Sequence, residues 1–518
     1  MTRTVTIGTA DAICGNDVCE PGETSWSCPQ DCFGDPAGTG RGGRKNANLV
    51  VPAAVGGIHG ANGTYWLTEG SIVNPGEEDA QVVIEFVADN DPDTPRVAGP
   101  TTIPPRTAIH FNNVVWQLFG THTSGSLWID ADKPVIANTR TFNQAGDATF
   151  GQGIGGITKN EVLGEGDGSV YIVGLKQNQR FRTNFLLQEV SGHPATVHAE
   201  IFDSTGATIG SGAITVPSRT KWQKPISILG IQSLDSGYAV LSVTGAGKIA
   251  AMASVIDQVT GDATSVDAVH AFQTGGGGPG KADDEEEDSH FLVAVVARTP
   301  GANNTVWRSE ISILNSEESD QVLELRYLPS SGPMLTATRE VGAGELFFSE
   351  DVIEDVFPTA PNGAGSLHVF AQKGLVVNSR TYNVLPDDST VGQAIPGLAK
   401  GDMARPGEVW LLDSLKQTKD FRCNLGFAEY EGSNTEVTVV LFDTDGASLF
   451  FLASKKYSVP ALGQFQVNKV FNDMGLSGEF REAIAYVSVA SEGGGLYVYA
   501  SVVDNAQGDG TTILGKRQ

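Results

Sequence analysis

The chain repeats itself, and a repeat constrains the fold more than any single residue, because what one copy forms the other must also be able to form. Gly60-Ala61-Asn62-Gly63-Thr64-Tyr65-Trp66 returns as Gly301-Ala302-Asn303-Asn304-Thr305-Val306-Trp307, 241 positions later. Gly125-Ser126-Leu127 returns as Gly365-Ser366-Leu367, and Asn138-Thr139-Arg140-Thr141 as Asn378-Ser379-Arg380-Thr381, both after 240. Phe181-Arg182-Thr183-Asn184 returns as Phe421-Arg422-Cys423-Asn424 after 240, and Asp257 with Gly261-Asp262 as Asp504 with Gly508-Asp509 after 247. A weaker period lies inside each half: residues 66–74 (WLTEGSIVN) align with 181–189 (FRTNFLLQE), 115 positions on. The arrangement is A-B-A′-B′, with units of about 100 to 115 residues, the size of a β-sandwich.

The local signals agree. Residues 81–87, 195–202, 436–442 and 496–503 are β-branched or aromatic runs bounded by turn residues. Many of the 63 glycines sit in turn-like positions such as Ser204-Thr205-Gly206 and Thr444-Asp445-Gly446. Long capped helical periods are missing, and only short helical turns are expected, near 351–356 and 468–474. Strands about every ten residues without helices between them read as antiparallel sandwiches. The expected layout is an N-terminal tail (1–13), a cysteine-rich module (14–32), a Gly-rich linker (33–45) and sandwiches over 46–160 and 161–272. A Gly/acidic joint (273–290) and sandwiches over 291–400 and 401–518 complete it. The joint carries six consecutive acids, Asp283 to Asp288, and no core forms from that composition.

A net charge of −27 argues against nucleic acid, whose phosphates need a Lys/Arg surface. No run of about 18 apolar residues predicts a membrane span. The N-terminus lacks the apolar stretch of a signal peptide, although Ala10-Asp11-Ala12 has the small-x-small form of a cleavage site. Residues 2–9 (TRTVTIGT) alternate like one half-buried strand, which reads either as a frayed tail or as a strand donated to another sheet edge.

Four of the five cysteines, Cys14, Cys19, Cys28 and Cys32, fall in a segment too short to build a core. That density reads as a disulfide staple or a metal knot. Zinc is disfavoured by the spacing, and the hard oxygen donors Asp17, Glu20, Glu23 and Asp31 suit calcium better. Solvated acids around a structural staple remain the plainer reading. The stretch CGNDVCEPGETSWSCPQDC resembles a small cysteine-rich motif of secreted bacterial and archaeal proteins. The resemblance implies an oxidising extracytoplasmic compartment and two disulfides, without selecting a pairing. Cys423 takes the place of Thr183 and reads as a buried free thiol. Asp89, Asp91 and Asp93 alternate like the start of a calcium loop but lack its glycine and distal glutamate, so a solvated hairpin tip competes. Calcium is the one cofactor these residues suggest.

Catalytic patterns are not found: no His-Glu-x-x-His, no Gly-x-Ser-x-Gly, and no histidine that recurs between the halves. The residues that do recur are Trp66/Trp307, Arg140/Arg380, Arg182/Arg422, Asn184/Asn424, Asp257/Asp504 and Asp262/Asp509. They read as ligand contacts or, more simply, as fold maintenance, with a strand-end Arg pairing an Asp and Asx residues closing turns.

Together, the Gly-Ala-Asn-Gly-Thr-x-Trp, Asn-x-Arg-Thr, Arg-Thr-Asn and Asp-x4-Gly-Asp wording resembles the tandem immunoglobulin-like modules of secreted bacterial surface and accessory proteins. That resemblance implies four Ig-like β-sandwiches in an all-β chain, a location outside the cell or on its surface, and a role without catalysis. The expected role is structural or adhesive, with self-assembly into a filament or surface layer in view. A set of carbohydrate- or protein-binding accessory modules is the alternative.

Overall fold

The computed structural model describes residues 49–60, 63–158, 161–270, 289–301, 305–445 and 448–518. The tail, the cysteine module with its acids Asp17, Glu20, Glu23 and Asp31, the Gly-rich linker and most of the joint lie outside the described residues. The last two residues assigned to the joint, Ser289 and His290, already belong to the strand Ser289–Pro300.

The described chain is all-β, with only short helical turns. The strand Ala195–Asp203 illustrates the local cause. Ala195, Val197, Ala199 and Ile201 point inward and are buried, whereas His198 and Glu200 are exposed, which is the period of two of a half-buried strand. The strand ends where an Asp203 carboxylate oxygen accepts the amides of Thr205 (2.9 Å) and Ala207 (3.1 Å), and Gly206 supplies the positive φ of the turn. The expected helical turns form as Val352–Val356 and Val470–Asp473. A third, Val114–Phe119, begins under an Asn113 cap that reading the sequence missed.

Four large apolar cores draw mainly on residues from 49–154, 163–266, 292–403 and 404–513, called segments one to four below. Leu186 and Met252 of segment two join the first core, and Ala428, Tyr430, Tyr497 and Tyr499 of segment four join the third. Their sheets are not alike. In segments two and four, separate four- and five-stranded antiparallel sheets face each other. In segments one and three a single long strand joins both layers. Leu49–His59 pairs with Ser124–Ala131 along most of its length, then with Tyr65–Val73 at its end, with register shifts at the hand-over. Ser289–Pro300 does the same between Gly363–Ala371 and Val306–Asn315. Such bulges bend a strand enough to serve two layers.

One buried polar side chain ends the second strand of each segment. Asn74, Glu189, Asn315 and Glu429 are all 0% exposed. Asn74 donates its amide to the carbonyls of Glu78 and Ile103, and Asn315 to those of Ser319 and Val341. Glu189 accepts the amides of Ser191, Gly192 and Arg219, and Glu429 those of Glu431, Gly432 and Leu462. A buried polar group of this kind is tolerated because its bonding capacity is filled. No helix among the described residues is long and apolar enough to cross a membrane.

Candidate functional site

Four short strands, each at the edge of its sheet, converge at one place: Ala148–Gly155, Ala263–Asp267, Thr390–Ala394 and Gly510–Leu514. They surround a cavity of about 380 Å³ lined by all four segments, with Gln152, Thr264, Gln393 and Thr511 among its walls. Of the recurring charged residues, Arg140, Arg380, Asp257, Asp262, Asp504 and Asp509 gather here, and each bonds to a residue of the other half.

The Arg140 guanidinium of segment one donates to Asp509 of segment four through Nη2 (3.0 Å) and to the Thr511 hydroxyl through Nε (2.8 Å). Arg380 of segment three donates to Asp262 of segment two through Nη2 (3.2 Å) and to the Thr264 hydroxyl through Nε (2.9 Å). The same carboxylate oxygens accept backbone amides, Gly151 to Asp509 (3.1 Å) and Gly392 to Asp262 (2.9 Å). Both glycines are needed at this distance. A Cβ at Gly151 would lie 2.6 Å from the Thr141 carbonyl oxygen, and one at Gly392 would lie 2.7 Å from that of Thr381.

Asp257 and Asp504 divide their two oxygens. In Asp257 one closes its own turn by accepting the Val259 amide (2.9 Å), and the other accepts the amide and hydroxyl of Thr390 in the opposite half (3.0 and 2.8 Å). Asp504 does likewise with Ala506 (2.8 Å) and with Thr149 (3.0 and 2.9 Å). Further out, Lys416 pairs with Glu69 (2.6 Å) and Lys176 with Glu310 (2.5 Å). Three small apolar clusters complete the joint, one of them formed by Ala148 and Phe150 with Val391. Val173 and Tyr238 pack with Leu314, Leu346 and Val376, while Ile484, Tyr486 and Leu411 pack with Val73 and Ala108.

The electrostatics follow from burial. Desolvation pushes Asp262 up to about 6 against the attraction of Arg380. It raises Asp509 well above the usual carboxylate range, with the Asp262 charge adding to the effect. The second oxygens of Asp262 and Asp509, both buried, have no hydrogen-bond partner. Glu69 behaves oppositely: burial would raise it, but the Lys416 ammonium and the Arg140 guanidinium outweigh burial and hold it below the ordinary value.

The other recurring residues stand apart from this centre. Trp66 donates its indole N–H to the Thr64 hydroxyl (2.9 Å) and is only half-buried. Trp307 is half-buried as well. Arg422 reaches Asn505 (2.9 Å), and burial lowers the pKa of both Arg182 and Arg422. The Asn424 side chain accepts the Lys469 amide (3.0 Å), and Asn184 lies half-buried on the equivalent strand. Cys423 is a buried free thiol, raised by burial to about 12.

The structure turns the chain between 88 and 91 in two residues, Asp89 and Asn90, while Asp91 and Asp93 already belong to the strand Asp91–Ile103. Strand pairing between Ala88 and Asp91 closes this turn, so the three acids lie on a hairpin and not along one continuous loop. Asp89 is engaged by Lys221 (3.1 Å) and the Ser124 hydroxyl, and Asp91 by the Thr94 hydroxyl. Among the described residues no group of three or more His, Cys, Asp or Glu is placed to hold a metal ion.

Reading the sequence found the residues of this junction but not their partners. It also passed over Glu69, Lys176, Glu310 and Lys416, although Glu69/Glu310 and Lys176/Lys416 recur at 241 and 240 positions. The histidines His290 and His368, which do not recur, form a second site. His290 Nε2 lies 2.9 Å from His368 Nδ1, and His368 Nε2 lies 2.8 Å from the Leu462 carbonyl oxygen, at the contact of segments three and four.

No protein-family model matches the chain, and no curated protein matches it. A solved structure described as the tetra-tandem repeat in the extending region of a large adhesion protein is similar at 15% identity, covering 90% of this chain and 98% of that one. Its TM-score is 0.11, a level of superposition that places no constraint on fold or role.

Proposed function

We propose that this chain is a non-catalytic structural or adhesive protein of the cell exterior, made of four immunoglobulin-like β-sandwich units and suited to assembly into a larger surface structure. The observation that carries the reading is the fate of the recurring charges. Arg140, Arg380, Asp257, Asp262, Asp504 and Asp509 are spent on holding segments together, and the buried carboxylates are closed off from any substrate in bulk solvent. A polar centre of this kind stiffens a body instead of turning a substrate over. Antibody against the folded chain should label intact source cells, and cells lacking the chain should lose attachment or surface order. Labelling only after lysis would refute the reading.

One observation favours the alternative, a binding module for glycans. Trp116 is 47% exposed on segment one and stacks on the His122 ring (centroids 4.3 Å apart). An open indole face is a natural platform for a sugar ring. Glycan-array binding that disappears in Trp116→Ala would favour this role over a purely structural one.

A further inference from the structure

Each half of the chain carries both sides of the joint it makes with the other half. The first half offers Arg140, Thr149 and Glu69 from segment one, and Asp262, Asp257 and Lys176 from segment two. The second half offers Arg380, Thr390 and Glu310, and Asp509, Asp504 and Lys416. In the folded chain they meet crosswise, every pair of one kind answered by its counterpart. An interface in which patch X meets Y while Y meets X is isologous, the arrangement of a two-fold dimer.

We infer that the surface buried between the halves is a self-complementary docking surface, and that besides the other half it fits the same surface of a second copy of this chain. Two first halves placed face to face bring Arg140 onto Asp262, Thr149 onto Asp257 and Glu69 onto Lys176, twice over. Asn138 meets the Val173 carbonyl oxygen, as Asn378 does within the chain at 3.0 Å. The apolar part also follows, because Val73, Ala108 and Ile136 hold the places of Leu314, Leu346 and Val376 against Val173 and Tyr238. That set is smaller, so pairing with the other half of the same chain buries more apolar surface. Covalent linkage adds an effective concentration on the order of millimolar. The closed chain is therefore the resting form, and pairing between copies takes over when the internal contact is weakened. Neither statement depends on where the protein works.

Charge exchange in the full chain separates the two pairings. Glu69→Lys with Lys176→Glu sets like charges against Lys416 and Glu310 inside the chain and opposite charges against each other between two first halves. Arg140, 4.0 Å from Glu69 in its own segment, meets the new cation in either pairing. Net charge is unchanged, so altered self-repulsion does not enter. Glu69, Glu310 and Lys416 keep 14 to 18% of their side chains exposed, whereas Lys176 is buried. Sedimentation equilibrium should find the wild type at 54.4 kDa and the double variant at twice that mass. Adding Glu310→Lys and Lys416→Glu matches the internal pairs again and should return the protein to monomer. Arg140→Asp with Asp262→Arg repeats the test at the buried pair, with Arg380→Asp and Asp509→Arg as its rescue. Double variants of both kinds that remain monomeric, or that lose the fold without forming a dimer, overturn the inference. A fourfold variant that dimerises as strongly as the double variant overturns it as well.

Discussion

The contacts between the halves and the contacts between the two segments of each half were both duplicated, yet only the Arg–Asp–Thr latch of the first kept its chemistry. Elsewhere in that joint buried Asp413, bonded to Ser71 and Asn138, holds the place of apolar Val173. Trp128 and His368 stand 240 positions apart at the same register of equivalent strands, opposite Val50 and Leu292. Arg219 and Leu462 share a left-handed backbone, φ 56° in each, in equivalent turns. In the first half Arg219 lies over the Trp128 ring (4.6 Å) and pairs with buried Glu85. In the second half the Arg–Glu pair has no counterpart: His368 and Ser366 bond to the Leu462 carbonyl oxygen, and His290 bonds to His368. Arg326, opposite His368 as Glu85 is opposite Trp128, lies over the Phe370 ring (4.3 Å). The backbone survived and the chemistry did not. The difference lies in how many partners each charge has. Arg380 and Asp262 bond to each other and also to Thr264, Thr390 and Gly392, whereas Arg219 meets Glu85 and one ring. A charge held by many groups strands several of them when it is replaced, while one held by a single partner can be exchanged together with that partner.

The largest effect should come from cutting a latch. Arg380→Met leaves Asp262 buried with only the Gly392 amide, and breaking a buried pair in this way costs about 3–5 kcal/mol. Arg140→Met should likewise cost about 3–5 kcal/mol, since it leaves Asp509 buried with only the Gly151 amide. Urea unfolding of the two variants side by side decides this, and clearly unequal losses would break the equivalence.

Arg219→Met should cost somewhat less, about 3 kcal/mol, by leaving Glu85 unpaired in the interior. The sharper expectation is the rescue. Arg219→Met with Glu85→Gln should recover most of the loss, as neutral groups can replace a lone buried ion pair, whereas Arg380→Met with Asp262→Asn should recover much less. Equal recovery would mean that partner number does not explain the difference.

Acid should move the two joints in opposite directions by smaller amounts. Burial holds Asp262 near 6, above the ordinary 3.8, and a raised carboxyl adds stability that is complete below 3.8 and lost as pH rises through about 6. Burial lowers His290 to about 3 and His368 to about 4 from 6.5. A neutral pair of this kind adds stability that is complete above 6.5 and lost as pH falls toward 4 and then 3. Between pH 6.5 and 4 the latch thus gains while the histidine contact weakens. Calorimetry across that range should show Asp262→Asn removing the first dependence and His368→Gln the second.

The smallest effects lie at the segment tips. Asn113 caps Val114–Phe119 by accepting the Trp116 amide, and Asp351 caps Val352–Val356 by accepting that of Glu354. Alanine at either cap should cost about 1 kcal/mol, seen as a small drop in Tm. Asp351→Ala should cost slightly more, because Arg298 and Arg308 also reach its carboxylate.

Much of the fold was legible because strand signals are local. Residues 195–202 and 496–503 alternate or run apolar between turn residues, and they form strands within a residue of the expected bounds. The cap at Asn113 was missed because a helix of six residues is too short to display a period. The joined sheets of segments one and three were missed because a bulge at Val51–Ala54 depends on which neighbour each part of the strand finds, not on its own composition.

The sequence by itself determined the duplication, the strand pattern and the identity of the residues that matter, since all three are encoded in order and spacing along the chain. It named Arg140, Asp262, Arg380 and Asp509 among the recurring residues, and it offered a strand-end Arg pairing an Asp beside ligand contact. Only the tertiary structure decided that the pairs cross between the halves. Two copies with the same residues satisfy an arginine equally well from within or from across, so a repeat cannot distinguish the alternatives. The choice is made by the edge strands Ala148–Gly155, Ala263–Asp267, Thr390–Ala394 and Gly510–Leu514. By meeting around one cavity, they set each guanidinium within 3.2 Å of a carboxylate more than a hundred residues away.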